Sequence, residues 1–327
     1  MTSSNILVLY TGGTIGMQAS ASGLAPATGF EARVRAQQSH QAERLPNWSF
    51  RELLPPIDSA NMSQDNWLAM VEAIRQGTEA GCDGVLVLHG TDTLAYSAAA
   101  LSFLLLGLAV PVVLTGSMLP AGAANSDAWP NLFGAMQALH NGVAPGVHLY
   151  FNGALMHGAR VSKLSSEAFD AFQVVPRQRQ GTRLSELPAA IDFRQPRQPV
   201  NLLSLPLVPG LRASHLRALL DSGVQGLVLE CYGCGTGPSD NAELLEVLRA
   251  AHARGVVLAA ISQCAQGHVE FGVYAAGSQL ASVGLISAGG MTREAALGKL
   301  FALLGAGLAQ DEVERLFSLD LCGERAE

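Results

Sequence analysis

Lysine is almost missing from this chain: Lys163 and Lys299 are the only two in 327 residues, and all charged residues together make up 14%. With a formal net charge of -7 and no cluster of Lys or Arg, the sequence argues against nucleic acid as a partner. Five cysteines, an odd number in a long chain, do not make a disulfide framework. No Lys or Arg precedes Arg33, and the first apolar run, Asn5–Leu9, is too short for the core of a secretion signal. The longest apolar stretch, Ala95–Leu114, is broken by Ser97, Ser102, Gly107 and Pro111, so it reads as a buried helix and a strand rather than a membrane span. A phosphate-binding glycine-lysine loop is also missing, and Gly233, Gly235 and Gly237 have the wrong spacing for a dinucleotide fingerprint. The expectation is a cytoplasmic protein with no nucleic-acid partner, no membrane partner and no bound cofactor.

What is present is apolar and turn-rich. Hydrophobic residues reach 49% and glycines number 35, which describes a folded protein with many tight turns. The length exceeds the size at which one core usually keeps growing, so two domains are expected. Short apolar runs at 84–88, 111–115, 147–151, 202–207, 226–230 and 256–261 read as strands. Helical spacing recurs at 64–77, from 93, and at 129–141, 213–222, 242–254, 293–304 and 311–317; residues 31–44 have a polar helical composition. Gln18–Gly29 reads as a loop, and Leu53–Ser59 as a loop before the helix at 64. Alternating strands and helices predict an α/β protein with mostly parallel sheets. Arg177–Pro199, rich in Arg, Pro and Gln, is the linker candidate. The resulting expectation is two α/β domains. A larger N-terminal domain spans 1–185, a linker 186–200, and a smaller C-terminal domain with a parallel sheet 201–327.

Two stretches carry chemistry. Tyr10-Thr11-Gly12-Gly13-Thr14-Ile15-Gly16 closes the first strand, and His89-Gly90-Thr91-Asp92-Thr93 closes the run at 84–88. Each puts glycine and threonine at the carboxyl end of a buried strand, where open parallel sheets bind ligands. A threonine hydroxyl needs a base or a neighbouring charge before it attacks anything. Lys163, within Arg160-Val161-Ser162-Lys163, is one source of such a charge. Taken alone, Lys163 reads as an ordinary exposed side chain and Asp92 as a cap for the helix that starts at Thr93. Cys231, Cys234, Cys264 and His268 have an unusual spacing for a zinc site, and no metal is expected.

The two stretches resemble the paired signatures of bacterial-type L-asparaginases, in particular the cytoplasmic, type I branch. Asp58-Ser59-Ala60-Asn61-Met62 is similar to that family's substrate-binding loop. Thr115-Gly116-Ser117, Phe169–Phe172, Cys231–Gly233 and Gly272–Gly277 extend the likeness over nearly the whole chain. The resemblance implies that Thr14 attacks the side-chain amide of L-asparagine and that water, activated near Thr91, releases L-aspartate. It implies that Ser59, in the loop that opens at Asp58, holds the substrate's carboxylate and Asp92 its ammonium, with backbone N–H groups around Gly13 and Gly90 as oxyanion donors. Ser117 would lie near the leaving amide. A carboxylate beside Lys163 would stabilise its ammonium, so Lys163 is expected to share protons with Thr91 and Asp92 rather than act as a free amine. No cofactor is implied; a homodimer or homotetramer is, with Tyr274 approaching the neighbouring subunit's site.

Three departures qualify the resemblance. Leu24 stands where many relatives carry a tyrosine bonded to the nucleophile, Glu230 where effector-regulated enzymes carry an arginine, and no acidic residue is evident near Ala265. Two alternatives remain open at this point. One is the ammonia-releasing amidase subunit of a tRNA-dependent amidotransferase, which usually carries an extra N-terminal domain. The other is a degenerate amino-acid-binding module, suggested by Leu24.

Overall fold

The computed structural model describes residues 5–20, 23–25, 27–39, 41, 45–174, 182 and 184–325. Pro26, residues 40 and 42–44 of the expected 31–44 helix, and Arg177, Arg179 and Arg183 of the linker candidate lie outside the described residues. The chain divides between Val174 and Val175 into two units.

In the first unit everything is laid around β1 (Asn5–Gly12), whose side chains are buried on both faces. Ile6, Val8 and Tyr10 pack into one cluster with Phe30, Val34, Leu132 and Met136, while Leu7 and Leu9 pack into another with Met70, Ile74, Val85 and Leu101. That alternation is the two-residue period of a strand sandwiched between helices, which is why its sequence is a continuous apolar run. There follow β2 (Gln18–Ser20), β3 (Gly23–Ala25), α1 (Phe30–Gln38), β4 (Asn47–Ile57), α2 (Gln64–Glu79), β5 (Gly84–Leu88) and α3 (Leu94–Leu104). The unit continues with β6 (Pro111–Thr115), α4 (Ala128–His140), β7 (Gly146–Phe151), β8 (Ala154–His157), β9 (Val161–Lys163) and β10 (Phe172–Val174). The main sheet runs β4-β1-β5-β6-β7-β8, all parallel except β8 against β7. Helices α2 and α3 cover one face, α1 and α4 the other.

The stretch 53–57, read from sequence as a loop, is the end of β4. Pro55 and Pro56 survive there because β4 is the edge strand and its register slips: Glu52 stands opposite Tyr10, but Ile57 stands opposite Gly12. Within the loop expected at 18–29, β2 and β3 pair as a short hairpin. Residues 95–114 fold as α3 and β6, and among the described residues no helix is long and apolar enough to cross a membrane.

The second unit carries an all-parallel sheet of β11 (Leu202–Pro206), β12 (Gly226–Cys231), β13 (Val257–Ser262) and β14 (Leu285–Ser287), in that order. Its helices are α5 (Ala213–Leu220), α6 (Ala242–Ala253), α7 (Ala275–Ser282), α8 (Arg293–Leu304) and α9 (Gln310–Ser318). Leu216, Leu220, Leu244 and Leu248 from α5 and α6 pack on Leu227, Leu229 and Leu258 of the sheet. Ahead of β11, Ile191 and Arg197 are buried, and Arg197 Nε donates to the Ala302 carbonyl at 2.9 Å. Both units are α/β, the first with the larger sheet.

One of the chain's two lysines is inside this second core. Lys299, on α8, is fully buried against an equally buried Glu324 at 2.5 Å and also donates to the carbonyls of Phe317 and Leu319. Burial pushes the Glu324 carboxyl up and the Lys299 ammonium down, but Lys299 and the Cys322 N–H bring the carboxyl down to about 2, and the three acceptors around Nζ suit an ammonium, so the pair is read as ionised. A buried charge stripped of its partner is costly. Lys299→Met is therefore expected to lower unfolding free energy by about 3–5 kcal/mol, read by urea denaturation at pH 7; a loss below about 1 kcal/mol would show that Glu324 is not held by that ammonium.

Candidate active site

Sheet topology picks out the crevice. From β1 the chain moves to β4 on one side, then crosses back to β5 on the other, so the direction of winding reverses between β1 and β5. Parallel α/β sheets open a cleft at the carboxyl ends of the strands flanking such a reversal. Those two strands end in the two threonine-bearing turns.

The turns touch through bare backbone. Gly13 has φ 83°, a left-handed value that favours glycine, and a Cβ built on it would lie 2.3 Å from the Gly90 nitrogen. A Cβ on Gly90 would fall 2.5 Å from Ser59 Oγ. Gly13, Gly90 and Ser59 therefore converge from the ends of β1, β5 and β4, with no room for another side chain between them. Gly13 N–H donates to the Ile57 carbonyl at 3.1 Å, fixing the first turn to the end of β4.

Of the three hydroxyls in the first turn, two are engaged. Thr11 Oγ1 donates to the Leu88 carbonyl at 3.0 Å, and Tyr10 Oη donates to the Ala27 carbonyl at 3.0 Å. Burial, with help from the Glu52 carboxylate and against Arg33, pushes the Tyr10 phenol up to about 12, so it stays neutral. Thr14, half-buried at the start of a single helical turn, has no side-chain hydrogen bond among the described residues.

Across from it, the structure brings Thr91, Asp92 and Lys163 together. Lys163 Nζ, on the small β9–β10 hairpin, donates to Asp92 Oδ1 at 2.7 Å and to Thr91 Oγ1 at 3.0 Å. Thr91 is buried, while the Asp92 side chain is 65% exposed and Lys163 only 19%. Because Thr91 Oγ1 accepts from the ammonium, its own proton remains available. Asp92 keeps a second oxygen that no described residue bonds.

The remaining sequence-derived residues are placed as follows. Asp58 caps the turn Ser59–Asn61 by accepting from the Ala60 N–H at 3.2 Å, and Ser59 is buried, its carbonyl accepting from Thr93 Oγ1 at 2.9 Å. Ser117 follows β6 but is fully buried, and its hydroxyl donates to the Leu119 carbonyl at 2.6 Å. Leu24, on β3, is 56% exposed and lines a 340 Å³ cleft with Met17, Arg33 and Pro120. Tyr274 belongs to the second unit, at the N-terminus of α7, and is 61% exposed. Glu230, also there, is buried and paired through both oxygens with Arg293 at 2.6 Å. Among the described residues no group of three or more His, Cys, Asp or Glu is placed to hold a metal, and Cys231 is buried while Cys264 is exposed.

His89 sets the peptide plane at the second turn. Its Nδ1 lies 2.7 Å from the Gly90 carbonyl, which can only accept, so Nδ1 carries the proton and Nε2 accepts from Ser97 Oγ at 2.8 Å. Ser97 Oγ in turn accepts from Trp67 Nε1 at 2.8 Å. Burial lowers the imidazole from 6.5 to about 4, and this relay holds the neutral ring. Between those values the unfolded chain binds a proton that the folded chain refuses, so the stability contributed is complete above pH 6.5 and lost as pH falls toward 4. The full loss is about 3 kcal/mol. Thermal melts at pH 7 and pH 5 should show a steeper decline for the native chain than for His89→Gln, and equal slopes would refute the assignment.

The family described as Asparaginase, N-terminal, matches residues 5–191, and the Glutaminase/Asparaginase C-terminal domain matches residues 201–317. L-asparaginase 1 of Escherichia coli (strain K12) is 37% identical over 338 aligned residues, covering 99% of this chain and 98% of the relative. The solved structure of the thermostable L-asparaginase from Thermococcus kodakarensis superposes with a TM-score of 0.85 at 32% identity over 99% of each chain. L-asparaginase I from Vibrio cholerae O1 biovar eltor str. N16961 does so with a TM-score of 0.84 at 33% identity, again over 99% of each. Matched by both family domains and alike end to end in sequence and in fold, the chain belongs to the asparaginase family.

Proposed function

We propose that this protein is an L-asparaginase, hydrolysing the side-chain amide of L-asparagine to L-aspartate and ammonia. The observation that carries the assignment of roles is the uncommitted Thr14 hydroxyl, on a turn packed against the turn that bears Thr91, Asp92 and Lys163. Thr14 Oγ1 attacks the amide carbon, the C–N bond breaks, and the amide nitrogen leaves as ammonia with the threonine proton. Water then attacks the resulting ester, its proton passing through Thr91 and the Lys163–Asp92 pair, and Thr14 regains its hydroxyl. The free oxygen of Asp92 suits the substrate ammonium, Ser59 suits its carboxylate, and the backbone N–H groups beside Gly13 and Gly90 suit the oxyanion that forms on the attacked carbonyl. The reading extends to a homodimer or homotetramer acting in the cytoplasm, in which Tyr274 reaches a neighbouring subunit's site; this part rests on the likeness to type I asparaginases.

Ammonia release from asparagine by the purified chain tests the proposal. Thr14→Ala is expected to abolish it, and Lys163→Met to lower kcat by about a hundredfold or more. Release that survives Thr14→Ala would remove Thr14 as nucleophile. Turnover with glutamine alone would point instead to an amidotransferase-type amidase, and binding without turnover to an amino-acid-binding module.

A further inference from the structure

The two turns are bridged by a third segment that has no regular structure of its own. Gly116–Ala121 runs from the end of β6 across the crevice. At one end, Gly116 lies so close to the second turn that a Cβ would meet the His89 carbonyl at 2.3 Å and Thr91 Cγ2 at 3.7 Å. At the other end, Ala121 N–H donates to the Ile15 carbonyl of the first turn at 3.2 Å. The position of this bridge therefore bears on both threonine-bearing turns at once. Irregular backbone needs partners for its N–H groups, and here they come from outside the segment.

Asp127 supplies them. Its carboxylate accepts from Met118 N–H at 2.9 and 3.1 Å, from Leu119 N–H at 3.0 Å and from Asn131 Nδ2 at 3.1 Å. Asp127 occupies the cap position of α4, yet makes no capping bond to that helix; Ser126 Oγ takes the Ala128 N–H instead, at 3.1 Å. An aspartate at that position ordinarily serves its own helix. This one is turned toward the bridge.

Asn131 completes the arrangement. It is buried inside the otherwise apolar face of α4, its Nδ2 also donates to the Gly116 carbonyl at 3.1 Å, and its Oδ1 accepts from Asn152 N–H at 2.9 Å. Both ends of its amide are committed. The carboxylate holds the middle of the bridge and the amide holds its start, tied at the far side to the turn between β7 and β8.

We infer that Asp127 and Asn131 are positioning residues for the hydrolytic reaction. They act through the Gly116–Ala121 bridge to set the spacing of the Thr14 and Thr91 turns, and neither touches the substrate. The inference rests on the proposal that those threonines perform the hydrolysis. Its consequence is kinetic rather than one of affinity. A bridge released by a few tenths of an ångström leaves a substrate able to bind, but moves the nucleophile relative to the group that activates water.

The test is steady-state hydrolysis of asparagine by Asp127→Asn and Asn131→Ser, with kcat normalised to folded protein by circular dichroism. Asn241→Ala, which strips the cap of α6 in the other unit, serves as a control for loss of stability alone. The expected result for either bridge variant is a fall in kcat of about tenfold or more with KM within about threefold, accompanied by faster amide exchange at Met118 and Leu119 in Asp127→Asn. Asn241→Ala should lose thermal stability with kcat intact. A kcat within about twofold of the native value in whichever bridge variant folds would overturn the inference. If instead Thr14→Ala retains activity, the hydrolytic reading itself fails, and the two failures are told apart.

Discussion

The site depends on a contact in which no side chain takes part. Gly13 and Gly90 meet backbone to backbone, with Ser59 pressed against the second of them. Parallel neighbours in a sheet run about 4.8 Å apart, and two turns that touch at the ends of adjacent strands more closely than that have no room for side chains at the point of contact. Here both are stripped. Any Cβ at either position would overlap backbone or Ser59 at 2.3–2.5 Å, so the turns would have to separate. The close approach thus demands glycine where the two turns join, and the candidate threonines stand one step beyond, at Thr14 and Thr91.

The two lysines show how charge is rationed around this frame. Lys+Arg total 20, so arginine accounts for eighteen cations, many in exposed pairs such as Arg75 with Glu72 and Arg35 with Glu31. Such pairs contribute little. Lysine appears only where a compact ammonium must donate in several directions: Lys299 to a carboxylate and two carbonyls, Lys163 to a carboxylate and a hydroxyl. The difference between them is access. Lys299 and Glu324 are sealed from water, whereas Lys163 is partnered by a carboxylate that is mostly open to it. A sealed pair can only hold the fold together; an open one is within reach of what enters the crevice.

Much of this was legible in the sequence because it is local. The buried runs 5–9 and 84–88 are apolar on both faces and are followed within three residues by glycine, so strand, turn and candidate threonine could be read together. The helix at α2 announces itself through its apolar spacing; the reciprocal cap of Ser63 and Asn66 at its start is a finding of the structure. What escaped is non-local. β4 was not read as a strand at all, its end hidden by Pro55 and Pro56, whose tolerance depends on an edge position that only the assembled sheet reveals. The short β8 and β14 are strands because of their neighbours rather than their composition. Lys163 is 71 residues from Asp92, and no local pattern connects them; only the family resemblance, not the residues themselves, put the two side by side. Asp127 and Asn131 left one faint trace, a Ser-Asp pair before α4 followed by a lone amide among Ala128, Leu132, Ala135 and Met136. The direction in which Asp127 turns was not in that trace.

Leu24 then bears on the reaction differently than the sequence alone suggested. A leucine cannot orient the Thr14 hydroxyl, and the nearest phenol in the first motif, Tyr10, is buried, neutral and committed to the Ala27 carbonyl. On the proposed reading, no group within Thr14's own turn prepares it, and the proton must leave toward the neighbouring turn or the departing nitrogen. That makes the separation of the two turns the controlling variable. It is limited from within by the missing Cβ atoms of Gly13 and Gly90 and held from behind by the bridge that Asp127 and Asn131 secure. A nucleophile without a dedicated partner is tolerable only where the backbone leaves it little freedom to be elsewhere.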